Sequence, residues 1–573
     1  MSEDLFDLEM PEAGLVALAL QPGIGLGVAT TNGNRAVLDA NPERLVAQID
    51  SANKPRWVWW DRSTAMALVK ADVAVDRCWD VLTLHRFLAG GWRTSIGHAW
   101  AWLNDLDTDT LPASGQLDFL GADSSEGDDP NSPIRPDGHL RPDWTDGGWH
   151  KSPERLAAWA ELTLKAATQQ QALLDERADP RRARSTAHSE SAAELLCAEL
   201  ALGGLPLDET EAIRIISDSA GPRPKNYAEE DAERDRRDAE VLRHLDHPQK
   251  VNLRNPAEVK NMLSRAGLDL PDTRAWRLEK LRDTHPLIDA LLVWRKAERI
   301  ATTYGYAWLD EHVSDGRLRG DWSSCDGAAG RMTASAGLHN LPAPMRPAVA
   351  SDPGYTFVRA DLGQIEPRVL AAVSGDPALI AATADADLYQ PVAQTLGVER
   401  DIAKVAVLGA MYGATTGESA GALRGLQQNY PVAMQLLEAA AEQGKLGNDI
   451  FTIGGRRVRM GGGSAPDGDL DGAISAAASR GRYARNALIQ GAAAEFFKVW
   501  AIIVRQRTRQ FDARVVLCLH DELLVHAPTE HAEKVAESVT EAVTAAAYYW
   551  SPEPEVRFLA DVGTIKRWSE AKE

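Results

Sequence analysis

The chain has 573 residues, more than one hydrophobic core usually organises, so we expect at least two domains. Hydrophobic residues make up 44% and charged residues 25%, which is an ordinary balance for a globular protein. The four cysteines are scattered, with no Cys-x-x-Cys pair, which argues against a structural zinc site. No run of about 20 apolar residues predicts a membrane span. The net charge of −21 argues at first against a nucleic-acid partner. However, residues 331–573 carry only −4, from 24 basic and 28 acidic side chains, so a local basic surface is not excluded.

The first predicted elements are strands. Residues 15–20 (LVALAL) and 56–60 (RWVWW) are short apolar runs of the kind that form buried strands. Residues 122–150 are rich in Gly, Pro and Asp and predict a loop or insertion. A helix is predicted at about 153–176, and the charged stretch 175–185 after it is interpreted as a linker.

The segment 356–376 (TFVRADLGQIEPRVLAAVSGD) predicts a short strand with Asp361 at its end, followed within a few residues by an amphipathic helix. Pro367 suits a first helical turn, where its missing N–H does no harm. A carboxylate at a strand end can point into a cleft and hold a hard metal ion, but it can equally cap a helix. This residue alone leaves both interpretations open.

The segment 514–528 (RVVLCLHDELLVHAP) predicts two apolar strands joined by the polar turn His520-Asp521-Glu522. Adjacent acids in a tight turn between buried strands are costly unless a positive group binds them. Two carboxylates from distant segments that converge on Mg²⁺ are what phosphoryl transfer requires. An ordinary hairpin turn with solvated acids is the alternative.

The segment 399–414 (ERDIAKVAVLGAMYGA) predicts a helix on which four side chains are spaced by four residues and share one face. These are Arg400, Lys404, Leu408 and Tyr412. The two cations could hold a triphosphate, and the tyrosine offers a flat surface near the far end. A surface helix with two basic residues is the alternative.

Three further segments accompany these: GRMTASAGLHNLP (330–342), GGRRVRM (454–460) and RYARNALIQGAAAE (482–495). Taken in order, the six segments resemble the motifs of family A (DNA polymerase I-like) DNA polymerases. Residues 361–376 resemble motif A, residues 400–413 resemble motif B, and His520-Asp521-Glu522 resembles motif C. The resemblance covers about residues 190–573 well and the N-terminal part loosely. The arrangement resembles a short actinobacterial type that lacks the 5′-nuclease domain.

The resemblance implies a role for each matching position. The implied catalytic residues are Asp361, Asp521, Glu522 and Lys404, with Asp361 and Asp521 as the metal ligands and Lys404 as the proton donor to pyrophosphate. The implied nucleotide-binding residues are Arg400, Lys404, Leu408, Tyr412, Gln364 and Glu366, of which Glu366 would exclude ribonucleotides. The implied DNA-binding residues are Arg331, Arg482, Asn486, Gln490 and His520.

The implied cofactors are two Mg²⁺ ions, with Mn²⁺ as an alternative. The implied partners are primer-template DNA and deoxynucleoside triphosphates, with no membrane. We expect a monomer that acts in the cytoplasm, at the nucleoid, in gap filling or DNA repair.

The chain departs from the family pattern at several of these positions. Leu408 stands where phenylalanine or tyrosine is usual, and leucine cannot stack on a base. We therefore expect weaker nucleotide binding and altered discrimination against dideoxynucleotides. Leu362 and Gly363 replace the usual Tyr-Ser of motif A, and Tyr389 stands where a histidine is common.

The N-terminal region resembles a 3′–5′ proofreading exonuclease domain in position and rough pattern. That chemistry needs acidic residues to hold two metal ions. Ala19, Gln21, Trp159 and Thr163 stand where the family has acids or a tyrosine, and Asp61 is a lone survivor. We expect an exonuclease-like fold without proofreading activity.

The predicted fold class is α/β plus α+β. A degenerate ribonuclease H-like, exonuclease-type domain is expected over residues 1–186, and a right-hand polymerase domain over 187–573. Within the latter we expect the thumb at about 220–310, the palm at about 311–375 and 476–573, and the fingers at about 376–475.

The expected function is template-directed addition of deoxynucleotides to a primer 3′ end. One alternative is a catalytically weakened DNA-binding protein with a polymerase fold. The other is a phage-type RNA polymerase, against which Glu366 argues because a ribonucleotide user gains nothing from a bulky acid at the sugar 2′ position.

Overall fold

The computed structural model of the chain describes residues 14–91, 94–113, 129, 131–245, 247, 251–413, 420–461, 470–551 and 556–571. The chain forms two compact units. The first comprises the described parts of Met1–Gly203, Trp322–Thr333 and Val358–Thr564. The second comprises the described parts of Gly204–Asp321, Ala334–Phe357 and Ile565–Glu573.

A five-stranded sheet forms the N-terminal part of the first unit. Its strands are β1 (Leu15–Gln21), β2 (Gly25–Thr30), β3 (Gly33–Leu38), β4 (Arg56–Trp59) and β5 (Cys78–Asp80). They lie in the order β3-β2-β1-β4-β5, in which β2 is antiparallel to both β1 and β3, and β1, β4 and β5 are parallel to one another. The two strands predicted from the apolar runs, β1 and β4, are therefore confirmed, and they are neighbours.

Among the described residues, seven helices accompany this sheet: α1 (Pro42–Asn53), α2 (Arg62–Lys70), α3 (Val81–Ala89), α4 (Ile96–Leu103), α5 (Pro142–Thr145), α6 (Pro153–Asp175) and α7 (Pro180–Gly203). Helix α6 confirms the predicted helix. It packs so closely on β2 that a Cβ at Gly27 would lie 2.2 Å from the carbonyl oxygen of Leu156, which is why glycine stands there.

One prediction for this region was wrong, and one was confirmed only in part. The stretch interpreted as a linker enters α7 at Pro180, because proline is well suited to a first helical turn and the residues after it have an apolar face to bury. The predicted loop contains α5, whose Trp144 is fully buried in the core beside Trp159. Residues 122–128 and 130 of that loop lie outside the described residues.

The second unit is mostly helical. Its helices are α8 (Glu209–Ala220), α9 (Tyr227–Leu242), α10 (Pro256–Arg265), α11 (Ala275–Glu279), α12 (Pro286–Thr303) and α13 (Tyr306–His312). Its strands β6 (Leu205–Pro206), β7 (Val313–Ser314) and β8 (Arg317–Leu318) form a small sheet in the order β6-β8-β7. One apolar cluster, which includes Val241, Leu263, Leu287 and Leu291, joins α9, α10 and α12.

The remaining strands form three sheets. They are β9 (Trp322–Asp326), β10 (Arg331–Ala334), β11 (Tyr355–Leu362), β12 (Ile450–Phe451), β13 (Arg457–Val458), β14 (Arg514–Cys518), β15 (Glu522–Pro528) and β16 (Ala560–Ile565). The largest of the three sheets has the order β14-β15-β11-β16; β9 pairs with β10, and β12 with β13.

The helices of this part are α14 (Ile365–Ser374), α15 (Pro377–Ala382), α16 (Tyr389–Leu396), α17 (Arg400–Tyr412), α18 (Ala420–Asn429), α19 (Pro431–Leu446), α20 (Leu470–Thr508) and α21 (Ala532–Trp550). Short 3₁₀ helices occur at Gly148–His150, Arg282–Thr284, Leu338–Asn340, Ala343–Ala348, Arg509–Phe511, Thr529–His531 and Trp568–Glu570. The strands and helices predicted around the three chemical segments, β11, α14, α17, β14 and β15, are confirmed.

Helix α20 is the longest element and is largely buried. Most of α20 and the 3₁₀ turn after it form Gly472–Phe511, which by length and composition is the one helical segment of the described chain that could cross a membrane. However, 89% of its most apolar window is buried against the rest of the protein. That burial is what a core helix of a globular unit shows.

A fully buried ionic cluster joins α20 to α7. Glu190 accepts a hydrogen bond from Lys498 Nζ at 2.7 Å and pairs with Arg456 Nη2 at 2.5 Å. Burial opposes its ionisation, but the two cations hold the pKa of Glu190 below its ordinary value. Nearby Glu495 accepts from the backbone N–H of Gly454 at 3.1 Å, and burial raises its pKa to about 7. The cluster therefore depends on Glu190 for its negative charge.

Candidate active site

Asp361 and Asp521, two acids predicted from distant segments, come together where β11 ends and β15 begins in the β14-β15-β11-β16 sheet. We call this end of the two strands, with the acids around it, the acidic edge. In the β14–β15 hairpin, Leu519 N–H donates to the Glu522 carbonyl oxygen at 2.8 Å, which leaves His520 and Asp521 as the turn. The backbone N–H of Leu362, at the end of β11, donates to the carbonyl oxygen of Asp521 at 2.8 Å. Because Asp361 precedes Leu362, this bond brings Asp361, at the end of β11, close to Asp521, which immediately precedes β15.

An arginine side chain, Arg359, lies beside Asp361. Arg359, two residues earlier on β11, donates from Nη2 to Asp361 Oδ2 at 2.9 Å and from Nε to Glu522 Oε1 at 2.9 Å. Its Nη1 lies 3.4 Å from Asp561 Oδ2 on β16. The guanidinium thus joins acids from three adjacent strands.

Burial and mutual repulsion make this edge electrostatically costly. Burial raises the pKa of Asp361 to about 6, and the neighbouring Asp521 carboxylate adds to the rise. Burial likewise raises the pKa of Asp521. The pKa of His520 is lowered by burial and by Arg331, so this histidine adds no stable positive charge. A cation bound between the acids would relieve both penalties.

The donor set fits a divalent metal ion. Mg²⁺ takes oxygen ligands and is usually held by one or two carboxylates together with water and substrate phosphates. Asp361 and Asp521 are hard oxygen donors side by side, and Asp361 is about one-third exposed. Nowhere in the described parts of the chain do three acidic, histidine or cysteine side chains converge on one point, so water and substrate would complete the coordination.

Gln364 connects the end of β11 to helix α17. It adopts a left-handed conformation (φ 55°), which turns the chain sharply into α14. Its Nε2 donates to Asp387 Oδ1 at 2.7 Å, and its Oε1 accepts from the backbone N–H of Leu388 at 2.8 Å. The other oxygen of Asp387 accepts from Arg400 Nε at 2.5 Å. Arg400 is therefore held by an acid that is itself held by Gln364.

Glu366 lies between two predicted site residues. Arg331 Nη2 donates to its Oε1 at 3.1 Å, and the Tyr412 hydroxyl donates to its Oε2 at 2.5 Å. Burial and the bond to this carboxylate raise the pKa of Tyr412, which keeps the phenol protonated as a donor. The carboxylate is thus fixed by charge on one side and by a hydroxyl on the other.

A cavity of about 320 Å³ opens beside these groups. Its walls are Arg331, Met332, Gln364, Ile365, Glu366, Pro367, Tyr389, Leu408, Tyr412, Gln490, Ala493, Ala494, Phe497, Leu519, His520 and Asp521. Many of the side chains that the sequence singled out therefore line one space, although they come from five separate segments.

The other predicted residues lie on α17 and α20. Lys404 is exposed and pairs with no described acid. Arg482 is exposed and packs against the end of α17, where a Cβ at Gly413 would lie 2.9 Å from its Cγ. Asn486, one turn along α20, has a buried Oδ1 that accepts no hydrogen bond from the described residues. Arg485 between them donates to the carbonyl of Ala410 at 3.2 Å, which fixes the end of α17 against α20.

Three residues of the site were missed by the sequence analysis. Arg359 could have been found, because residues two apart on a strand share a face. Arg368 is fully buried, and its guanidinium donates to backbone carbonyls alone, including Gly363 at 3.1 Å and Thr383 at 2.8 Å. It holds the loop before α14 in place. Asp387 carries no local signal, because only the fold brings it to Arg400.

The family model described as DNA polymerase family A matches residues 226–570, more than half of the chain. The chain belongs to the family A DNA polymerases. The resemblance drawn from the motifs is therefore confirmed at the level of the family.

Curated relatives agree with this assignment. The thermostable DNA polymerase I of Thermus thermophilus is 29% identical over 377 residues, which cover 58% of this chain and 43% of that protein. DNA polymerase I of Chloroflexus aurantiacus is 32% identical over 290 residues, which cover 45% of this chain and 30% of that protein. The matched region thus spans less than half the length of each family A relative.

Among solved structures, the chain is similar to the POL domain of Pol1 from M. smegmatis, in a complex with DNA primer-template and dNTP. The TM-score is 0.65 at 21% identity, and the match covers 97% of this chain and 95% of that chain. This likeness establishes a shared fold of mixed helix and sheet, which is the polymerase-domain fold of family A.

Leu362 and Gly363, which depart from the family A pattern in motif A, leave the end of β11 intact. Leu362 is buried, and its backbone N–H makes the bond to Asp521 that any residue could make. Gly363 donates from its backbone N–H to the carbonyl of Leu559 at 3.0 Å, and a Cβ there would meet nothing closer than 4.0 Å. Leu408 lines the cavity beside Tyr412.

Proposed function

We propose that the chain is a template-directed DNA polymerase that adds deoxynucleotides to a primer 3′ end. The observation that carries this proposal is the convergence of Asp361, at the end of β11, and Asp521, in the turn before β15, through the Leu362–Asp521 backbone bond. Family membership supports it, as does the relative solved with primer-template DNA and dNTP. The aspartate pair would hold two Mg²⁺ ions, with Mn²⁺ as an alternative.

Bound metal ions supply activation of the primer 3′-hydroxyl and charge neutralisation at the phosphates. Arg400 and Lys404 lie one turn apart on α17 and would bind the triphosphate, with Lys404 donating a proton to the departing pyrophosphate. For Arg400 to do so, its bond to Asp387 must be exchanged for phosphate. Glu522 would act as an outer partner of the metal-binding pair.

The cavity beside Glu366 has the size and lining of a site for the incoming nucleotide. Glu366 would stand at the sugar 2′ position, with Gln364 supporting the pocket and Tyr412 beside the template base. Leu408 would contact the nucleotide without stacking on it, which weakens binding. Arg331, Asn486 and Gln490 would reach the minor groove near the primer end, where donors test base-pair shape. Arg482 would also contact DNA or template, and His520 would lie near the primer terminus.

We infer that residues 1–186 form a ribonuclease H-like domain that has lost exonuclease activity. The strand order β3-β2-β1-β4-β5 with mixed directions supports the fold. Ala19 and Trp159 are buried where acids or a tyrosine would be needed, the Thr163 hydroxyl donates to the Trp159 carbonyl, and Asp61 caps α2. Of these four side chains, Asp61 alone is a carboxylate, which is too few ligands for two metal ions.

We further propose the right-hand division of residues 187–573, with the thumb near 220–310, the palm near 311–375 and 476–573, and the fingers near 376–475. The cellular role proposed is gap filling or repair by a monomer at the nucleoid in the cytoplasm. The sheet that carries Asp361 and Asp521 lies within the proposed palm.

The test is extension of an end-labelled primer on a longer template, with Mg²⁺ and the four deoxynucleotides, beside an Asp521→Ala variant. We expect the primer to lengthen with the wild-type chain and to stay unchanged with the variant. A reaction without nucleotides should leave the primer intact. No lengthening, with the primer still retarded in a gel, would favour a DNA-binding protein without catalysis. Shortening without nucleotides would show that the N-terminal domain is an active exonuclease.

Replacing Glu366 by alanine should increase ribonucleotide incorporation relative to deoxynucleotide by about 100-fold, because the carboxylate fixed by Arg331 and Tyr412 no longer crowds the 2′-hydroxyl. Single-nucleotide insertion with rNTP and dNTP gives the ratio. Glu366→Gln keeps the bulk and is the matched control, with a much smaller expected change. Unchanged sugar selection in the alanine variant would remove Glu366 from this role.

A further inference from the structure

Arg359 is the cation at the centre of the acidic edge. Each of its guanidinium nitrogens faces a different carboxylate: Nη2 faces Asp361 and Nε faces Glu522, both at 2.9 Å, and Nη1 faces Asp561 at 3.4 Å. Its side chain is only 12% exposed. A guanidinium stays charged at every physiological pH, so this positive charge is permanent.

We propose that Arg359 is a built-in counter-ion that competes with divalent metal for Asp361 and weakens metal binding in the absence of substrate. The inference rests on the proposed function, because it takes Asp361 and Asp521 as the metal-binding pair. Metal would bind firmly only when nucleotide phosphates supply further oxygen ligands.

The competition follows from shared atoms and from charge. Asp361 makes its ion pair with Arg359 through Oδ2, an oxygen that a metal ion would also need. A dication at Asp361 would then lie a few ångströms from a fixed positive charge. Even at a water-like dielectric constant, that repulsion corresponds to about tenfold in affinity. Metal binding therefore requires either that the guanidinium moves away from Asp361 or that the metal binds despite the repulsion from it.

The alternative is a purely structural arginine that ties β11, β15 and β16 together. Both roles predict that the metal-free protein loses stability when Arg359 is replaced, because the acids lose their counter-ion. Only competition predicts that the same replacement tightens metal binding. Metal affinity, rather than stability or activity, therefore separates the two.

The experiment measures Mn²⁺ binding by the full chain without DNA or nucleotide, through the electron paramagnetic resonance signal of free Mn²⁺. We expect Arg359→Gln to bind Mn²⁺ about tenfold more tightly than the wild-type chain. Arg359→Lys keeps the charge and should stay within about threefold of wild type. Arg184→Gln, which removes an arginine from the exposed pair with Asp175, is the control for a general change in net charge.

Equal or weaker Mn²⁺ binding by Arg359→Gln would overturn the proposal, and so would a matching gain in Arg184→Gln. If Arg359→Gln does not fold without metal, Arg359→Lys carries the test, and a tenfold gain in that charged variant would contradict competition by charge. Primer extension by the wild-type chain is measured separately. Failure to extend with tighter Mn²⁺ binding by Arg359→Gln would reject the proposed function alone, whereas extension with unchanged Mn²⁺ binding would reject this inference alone.

Discussion

Asp361→Asn should slow primer extension by about 10³-fold or more while primer-template binding is kept, because an amide is nearly the same size as the carboxylate but cannot supply its charge to a metal ion. The residue lies on β11 next to Asp521, and burial with that neighbour raises its pKa to about 6. Removing the charge also releases Arg359 from one of its pairs. Single-turnover extension and a gel-shift titration measure the two quantities.

The matched control is Asp561→Asn. This acid also faces Arg359, at 3.4 Å, but lies on β16 and is 81% exposed. Because exposed pairs contribute little, we expect less than about a fivefold change in extension rate. Equal losses in the two variants would show that general acidity at this edge, rather than metal binding by Asp361, is what matters.

Glu190→Gln should lower the free energy of unfolding by about 3–5 kcal/mol, because it leaves two buried cations without their counter-charge. Glu190 and Lys498 are fully buried, and Arg456 is nearly so. The remaining acid, Glu495, has a pKa raised to about 7 by burial and can replace the lost charge only in part. Urea unfolding followed by circular dichroism measures the loss.

Asp175→Asn breaks the exposed pair with Arg184 and should cost less than about 1 kcal/mol. Adding Lys498→Met to Glu190→Gln should recover part of the stability, because one buried charge is removed together with its partner. If Glu190→Gln unfolds with the same urea midpoint as the control, the cluster contains water or a counter-ion that neutralises its charge in another way.

The local sequence pattern was sufficient to predict the strands and helix of the candidate site. The apolar runs on either side of His520-Asp521-Glu522 predicted β14 and β15, and the spacing of Arg400, Lys404, Leu408 and Tyr412 predicted α17. These features are local, because strand alternation and helix periodicity depend on residues within one or two turns. The same reasoning failed at residues 180–185, where charge suggested a linker but the chain begins a helix that packs against the core.

Contacts between distant segments could not be predicted in the same way. Nothing near Asp387 indicates that it binds both Gln364 and Arg400, and nothing near Glu190 indicates Lys498, more than 300 residues later. The role of such a side chain is clear only when its hydrogen-bond and ion-pair partners are known. Those partners depend on how the sheets and helices pack.

The sequence by itself determined the family, through six ordered motifs, and it supplied the acids, cations and aromatic residue to which we assign the chemistry. The tertiary structure decided which of them meet. A single backbone bond from Leu362 to Asp521 sets the two acids side by side, and the packing of three strands brings Arg359 among them. The physical reason is that residue type and spacing specify local conformation and chemical capacity, whereas charge pairing depends on distances that only the folded chain defines.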